Sequence, residues 1–482
     1  MILIHREHSI LLAVLLMACC ELRADEPLRS KGMQAMERAV RFYSGQVSSH
    51  GGYVYRYSAD LKKREAEGRV DVETIWVQPP GTPAVGLAYL DAFARTGQPL
   101  LLEAATSAGE CLIQGQLRSG GWQDRIEFSA EARAKLAYRV DPPRRKGRNL
   151  STFDDDKTQS AIRFLMRLDQ ALQFQNERIH EAVTFALDAV VRAQFPNGGW
   201  SQVFDGEQRD PARYPVQRAD YPAEWPRKYP AGDYWWHYTL NDNAMADTID
   251  VLLLAARIYH APKYREAALK AGDFLLLAQL PEPQPAWAQQ YNAEMQPVWA
   301  RKFEPPAVSG GESQGVIQIL LNLYLETAEE RFLKGVPPAL KYLQASALPD
   351  GQLARFYELR TNRPLYFTRG YELTYDDGDL PTHYGFKVSS SIDSLVREHA
   401  TLSSLTLKEL TRRRDRRFMV SGGRPDEKTV EAVIQGLDDR GAWVEEGRLR
   451  YHGRGDDTRQ VIDSGTFIRR LNVLSKYLDS RP

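Results

Sequence analysis

The chain has 482 residues, with 63 Lys and Arg balanced by 63 Asp and Glu. It carries no basic footprint, so nucleic acid is excluded as the main partner. A hydrophobic share of 43% suits a globular protein, and two of the three cysteines fall within the first 20 residues, leaving Cys111 without a disulfide partner.

The chain begins MILIHREHSILLAVLLMACCELRADEP. A short cationic start runs into an apolar stretch from Ile10 to Ala18, too short to span a bilayer, and a Leu-Arg-Ala site suits cleavage after Ala24. This predicts a secretory signal peptide over residues 1–24 and export to the periplasm or the exterior. Cys19, behind Leu16-Met17-Ala18, leaves a lipid-anchored form open. No later stretch is long and apolar enough to be a transmembrane segment.

Beyond the leader the apolar residues recur at helical spacing. Ala161, Leu165, Leu168 and Leu172 form one stripe, Ala182, Ala186, Ala189 and Ala193 the next, and Met245, Ile249, Leu252, Ala256 and Tyr259 a third. Short turns at 95–99, 174–178, 260–264 and 328–332 alternate with long connections at about 118–156, 196–241, 281–311 and 349–388. An antiparallel helix pair returns the chain to its starting face, so all the long connections emerge on one face. They hold most of the Trp, Tyr, Gly-Gly and Asp clusters, and loops of that length in a compact domain are usually functional.

The loops also repeat. QLRSGGWQD and QFPNGGWSQ are close relatives, SSHGGYVYR and LPDGQLARFY weaker ones, and QLPEPQPAW keeps the leading Gln-Leu and the closing Trp. Stacked helical hairpins with such a period can stay open as a solenoid or close, and the reading preferred is an all-α protein, an α/α toroid (incomplete barrel of hairpins) with long irregular loops on one face. The toroid is expected over residues 25–411, with residues 412–482 as a helical accessory segment and the whole chain a monomer.

Two constellations on the loop face carry chemistry. TFDDDK places Asp154, Asp155 and Asp156 directly before a helix, and YTLNDNAM places Asp242 between two amides before another. One acid would serve as a helix cap in the positive field of a helix start. Three exceed that need, and hard cations such as calcium bind several carboxylate and amide oxygens. Both readings stay open on spacing alone. Arg301, Arg355, Arg360, Arg363 and Arg369 lie in the later loops, and guanidinium groups grip carboxylates two-handed. The loop YPVQRADYPAEWPRKYPAGDYWWHY offers either aromatic platforms for sugar rings or a proline-stiffened lid packed on itself.

Taken together, TFDDDKTQSAIRFL, PNGGWSQ, YTLNDNAM, PVWARKFEPPAVSGGES and ARFYEL followed by FTRG resemble the pectate lyases of polysaccharide lyase family 10, over roughly residues 110–375. The resemblance implies calcium-assisted β-elimination of polygalacturonate. It implies Asp154, Asp155 and Asp242 as calcium ligands, Arg301 as the base, and Arg355 and Arg369 as grips on substrate carboxylates. Trp200, of PNGGW, is a further candidate substrate contact. The run Asp155-Asp156-Lys157 departs from the family pattern, which has Asn after the first Asp. The rival readings are a toroidal glycoside hydrolase using Asp154 and Asp242 as acid and base, a polyuronate-binding protein without turnover, and a triterpene-cyclase-like toroid.

Overall fold

The spacing of small and branched apolar residues does produce helices, and the chain is a mostly α-helical succession of hairpins packed side by side. The computed structural model describes residues 27–143, 147–417 and 423–479. The expected signal peptide and Cys19 lie outside the described residues. Helix α1 covers residues 27–42, followed by α2 (Thr82–Thr96), α3 (Pro99–Gln114) and the short α4 (Ala130–Arg133). The middle of the chain holds α5 (Lys157–Ala171), α6 (Glu177–Arg192), α7 (Ala244–Tyr259), α8 (Pro262–Ala278) and α9 (Gly310–Thr327). Then come α10 (Arg331–Lys334), α11 (Val336–Ala345), α12 (Ile392–Ser404), α13 (Leu407–Arg417), α14 (Glu427–Gln435) and α15 (Ser464–Leu478).

Local chemistry sets the hairpin turns. Gly97 ends α2 in the left-handed region, and Pro99 starts α3 two residues later, as prolines do in a first helical turn. Asn176 caps α6 by accepting the Ile179 N–H. Helix α5 packs on α2 and α7, and α2 also packs on α15, so these helices form the inner layer. Their partners α3, α6 and α8 lie outside. Most buried apolar side chains, Cys111 among them, belong to one core between these layers.

The repeated loop motif is a staple between one outer helix and the next. The indole N–H of Trp122 donates to Leu112 O at 2.8 Å, that of Trp200 to Val190 O at 2.9 Å, and that of Trp287 to Leu275 O at 2.7 Å. Each ties the loop back to the outer helix before it. The motif glutamine ties it forward. Gln116 Nε2 donates to Gly120 O and Ala182 O, Gln194 Nε2 to Gly198 O and Ala267 O, and Gln279 Nε2 to Pro285 O and Gly335 O.

Trp443 makes the same bond, to Val433 O at 2.9 Å. The segment expected as an accessory therefore contains another unit of the repeat, with α14 in the outer position and α15 packed on α2. Gln460–Asp463 also pairs with Arg56–Ser58 in a five-stranded sheet that joins the two ends of the chain. Trp443→Ala should cost about 3–5 kcal/mol of stability, as burial of a large aromatic implies, measured by urea unfolding. A loss below about 1 kcal/mol, the scale of a surface change, would mark the C-terminal unit as dispensable.

Candidate active site

Two short ribbons bring the acidic turns together. Ser151–Thr152 pairs with Val203–Phe204, and Tyr238–Thr239 pairs with Gln290–Tyr291. Each first strand leads into a one-turn 3-10 helix, Asp154–Asp156 or Asn241–Asn243, which opens α5 or α7. The two turns are built alike. Thr152 Oγ1 accepts the Asp154 N–H at 3.1 Å, and Thr239 Oγ1 accepts the Asn241 N–H at 3.3 Å. Asp155 and Asp156 have φ of 49° and 58°, and Asp242 and Asn243 have 49° and 57°. Asp and Asn tolerate the left-handed region best among residues with a Cβ, and paired outliers of this kind cluster at functional sites.

The turns pack against each other. One carboxylate oxygen from each of Asp154, Asp155 and Asp242 lies within 4.8 Å of the other two, the only such acidic group of three among the described residues. None of the acids before α5 caps that helix through its side chain, so capping does not account for them. Asp156 turns to Arg163, 3.1 Å away. Lys157 Nζ sits 2.9 Å from Asp154 Oδ2 and 3.4 Å from Asp155 Oδ2. Burial disfavours its charge, yet the two carboxylates raise its pKa on balance.

Loss of bulk water and the charges of Asp154 and Asp155 push Asp242 up to about 7, with Arg301 pulling the other way. Because Asp242 still reaches solvent, we give charge crowding the greater weight. The donor set fits a hard divalent cation, since all three ligating groups are carboxylates. Asn241 adds a buried Oδ1 without a hydrogen-bond partner, while its Nδ2 holds Asp242 Oδ2 at 2.6 Å. Three carboxylates and one ammonium leave a formal charge of −2, which one calcium ion would neutralise.

The next loops supply the cations. A second, smaller core of Trp299, Phe303, Phe356, Phe367 and Phe386 backs a four-stranded sheet of Ala307–Ser309, Phe356–Glu358, Pro364–Phe367 and Leu373–Thr374. Arg301 and Arg355 flank this sheet, 5.5 and 4.8 Å from the centre of the Tyr384 ring. The positive charge of Arg301 is felt at Asp242, where it opposes the rise in pKa. Its Nε donates to Glu304 Oε2 at 2.7 Å and its Nη2 to Glu304 Oε1. Tyr384 Oη adds a bond to Oε1 at 2.8 Å. Glu304 is 1% exposed. Burial alone would raise its pKa, but Arg301 holds it below the usual range. Burial works against the Arg301 charge, and Glu304 outweighs it, so the guanidinium holds its proton more tightly than usual.

Arg355 Nε donates to Gly385 O at 2.6 Å, and its Nη1 lies 3.7 Å from Glu312 Oε1. Glu312 in turn contributes to the field at Asp242. Of the other expected substrate contacts, one is buried and one is exposed and paired within its own loop. Trp200 is 1% exposed, its indole is bonded to Val190 O and its carbonyl accepts the Thr239 N–H. Its carbonyl supports the strand before the second acidic turn, while its indole staples the loop to α6. Arg369 is 71% exposed and pairs with Asp379 in its own loop at 3.2 Å, a local partner that spacing alone did not reveal.

The sequence reading missed Lys157 as the partner of the acids, Glu304 and Tyr384. Lys157 had a signal in its adjacency to the run of three Asp. Glu304 follows Arg301 by three residues in ARKFEPP, whereas nothing local marks Tyr384. The aromatic loop packs on the neighbouring loop and walls a cavity. Trp225 and Tyr229 pack on Trp299, and with Tyr234 and His237 they enclose a cavity of about 280 Å³ that reaches Ala300, next to Arg301.

A second acid lies near the turns. Burial and the Asp156 charge push Asp247 up to about 7, against the pull of Arg163. A carboxyl raised in the folded state binds more protons than the unfolded chain between about pH 4 and 7, so stability falls as pH rises through that window. Asp247→Asn should flatten this fall and stabilise the protein at pH 8 by about 1–3 kcal/mol. Denaturant unfolding of both proteins at pH 5 and pH 8 measures it, and an unchanged slope would remove Asp247 from the explanation.

The family model described as pectic acid lyase matches residues 114–353. No curated protein matches the chain. Among solved structures, a mutant of the family 10 polysaccharide lyase from Cellvibrio cellulosa in complex with trigalacturonic acid is 22% identical, with a TM-score of 0.45 over 66% of this chain and 98% of that one. A D-mannose isomerase is 13% identical, with a TM-score of 0.45 over 93% of this chain and 97% of that one. An α-mannanase from Bacteroides thetaiotaomicron is 10% identical, with a TM-score of 0.39 over 94% and 95%.

Proposed function

Residues 114–353 belong to the pectic acid lyase family and make the chain a polysaccharide lyase acting on pectate; from that premise we propose that it is exported and cleaves polygalacturonate by calcium-assisted β-elimination, with Arg301 as the base. The observation that carries the reading is the meeting of Asp154, Asp155 and Asp242, with the charge of Arg301 acting on Asp242 in support. Export rests on the leader, and no helix among the described residues is long and apolar enough to cross a membrane.

Elimination removes the C5 proton of a uronate, forms the C4–C5 double bond and breaks the bond from C4 to the glycosidic oxygen, which leaves and is protonated. The difficulty is charge, because the adjacent carboxylate resists the negative charge that develops on proton loss. Asp154, Asp155 and Asp242 would hold a calcium ion, which supplies Lewis-acid neutralisation of that carboxylate. Arg355, turned toward Tyr384 with Arg301, would pair the same or a neighbouring carboxylate. Its positive charge favours the developing anion more than the ground state, which is the condition for catalysis.

Arg301 works against its own pairing. Glu304 keeps the guanidinium protonated in the free protein, so a base role requires that hold to weaken as cations gather around the substrate. Tyr384 can take part of that load, since it donates to Glu304 independently of Arg301. The aromatic cavity beside Ala300 has the apolar walls a sugar ring stacks on, and we place the neighbouring ring of the polymer there.

The test is incubation of the full chain with polygalacturonate, with and without calcium, following ultraviolet absorbance of unsaturated ends. Calcium-dependent unsaturated product supports the reading. Saturated reducing ends without absorbance would point to hydrolysis by a carboxylate pair, and binding without either product to a protein that holds polyuronate and does not cleave it.

A further inference from the structure

We propose that Lys157 is a tethered counter-ion of the acidic group, competing with the divalent cation for Asp154 and Asp155. This rests on the metal reading of the proposed function, and its consequences are separable from that reading. The Lys157 side chain is only 8% exposed, and its ammonium lies 2.9 and 3.4 Å from two of the three acids. An ammonium donates hydrogen bonds and cannot ligate a metal. A cation bound through those oxygens must therefore share them with a neighbouring positive charge or displace it.

The second acidic turn shows that the backbone does not demand a lysine at this place. Asp155-Asp156-Lys157 and Asp242-Asn243-Ala244 follow the same course, two left-handed residues and then the first residue of a helix. Ala244 fills the position that Lys157 fills in the first turn, and it packs there buried. The turns thus have one geometry and two charge states. Alanine at 157 is compatible with the fold, and the lysine is an added charge.

Two opposite effects follow. In the metal-free protein Lys157 relieves the repulsion among three carboxylates and stabilises the fold. Toward a divalent cation it is unfavourable, because it lowers the charge of the group from −3 to −2 and repels the incoming ion at short range. The chain would keep its acidic turns in place without metal and bind calcium only when calcium is plentiful.

Calcium titration calorimetry and thermal melts on the full chain test this, comparing the unchanged protein, Lys157→Ala and Lys157→Met. Methionine keeps the aliphatic stem and serves if alanine impairs folding. Removing the ammonium should tighten calcium binding by at least about tenfold, given the strength of charge repulsion at such distances. The same variants should melt lower in chelator and gain more from added calcium than the unchanged protein does. Equal or weaker calcium binding in both variants would overturn the role of Lys157 and leave the metal reading standing. Absence of calcium binding in all three proteins, each folded, would overturn the metal reading itself and the competition with it.

Discussion

Arg301→Ala is expected to lower kcat on polygalacturonate by about 10²- to 10⁴-fold, the range typical of a lost general base, with a much smaller change in KM. The structure adds a second consequence that the residue's place in the loop did not suggest. Glu304 is buried and takes three bonds from Arg301, through the backbone N–H, Nε and Nη2. Alanine leaves that carboxylate with Tyr384 as its remaining side-chain donor. The variant should therefore lose about 1–3 kcal/mol of stability, the usual cost of a buried group left short of partners.

Activity and stability can be separated. Arg301→Ala combined with Glu304→Gln removes the stranded charge, and it should regain much of the stability without regaining turnover. Arg301→Lys keeps a cation beside Glu304 but loses the forked geometry, and is expected to stay well below the unchanged rate. Initial rates from the absorbance of unsaturated product, with urea unfolding of each variant, measure both quantities. Full turnover in Arg301→Ala would remove Arg301 from the base role, and the electrostatic part would then fall to Arg355.

Asp242→Asn should abolish the response of activity to calcium and weaken calcium binding by at least about 100-fold, since even partners outside the ligand shell commonly cost 10- to 100-fold. This position is the cleanest of the three for the purpose. Asp154 and Asp155 also hold Lys157, so replacing either removes one of the two partners of a buried ammonium and mixes a folding effect into the result. Asp242 has no such partner lysine, and its neighbour Asn241 can hydrogen-bond an amide as it does the acid. Calorimetry and rates in buffered calcium measure the effect. Calcium-stimulated turnover unchanged in Asp242→Asn would mean that the three acids do not share an ion.

Much of the fold was legible because helical periodicity and turn chemistry are local. The stripe from Ala161 to Leu172 and the alternation of short and long connections follow from contacts within a few residues, and they placed Asp154, Asp155 and Asp242 on one face. The C-terminal unit was harder. The stretch DDRGAW lacks the Gly-Gly of its relatives, and only the bond from Trp443 to Val433 O and the packing of α15 on α2 reveal it as another unit of the repeat. The site divides in the same way. Trp200 carries an aromatic face that suits a sugar, yet the same residue is what staples a loop to the helix before it. Composition cannot say which use a tryptophan is put to, because both need a large flat ring.

By itself, then, the order of residues determined the helices, the side on which the loops gather and the family to which residues 114–353 belong. These depend on hydrogen bonds and apolar contacts between residues close in the chain. Tertiary packing alone decided which distant groups meet. Asp242 meets Asp154 and Asp155, and Tyr384 meets Glu304, across 80 or more residues of chain, and charge interactions change so steeply over a few ångströms that no local pattern specifies them.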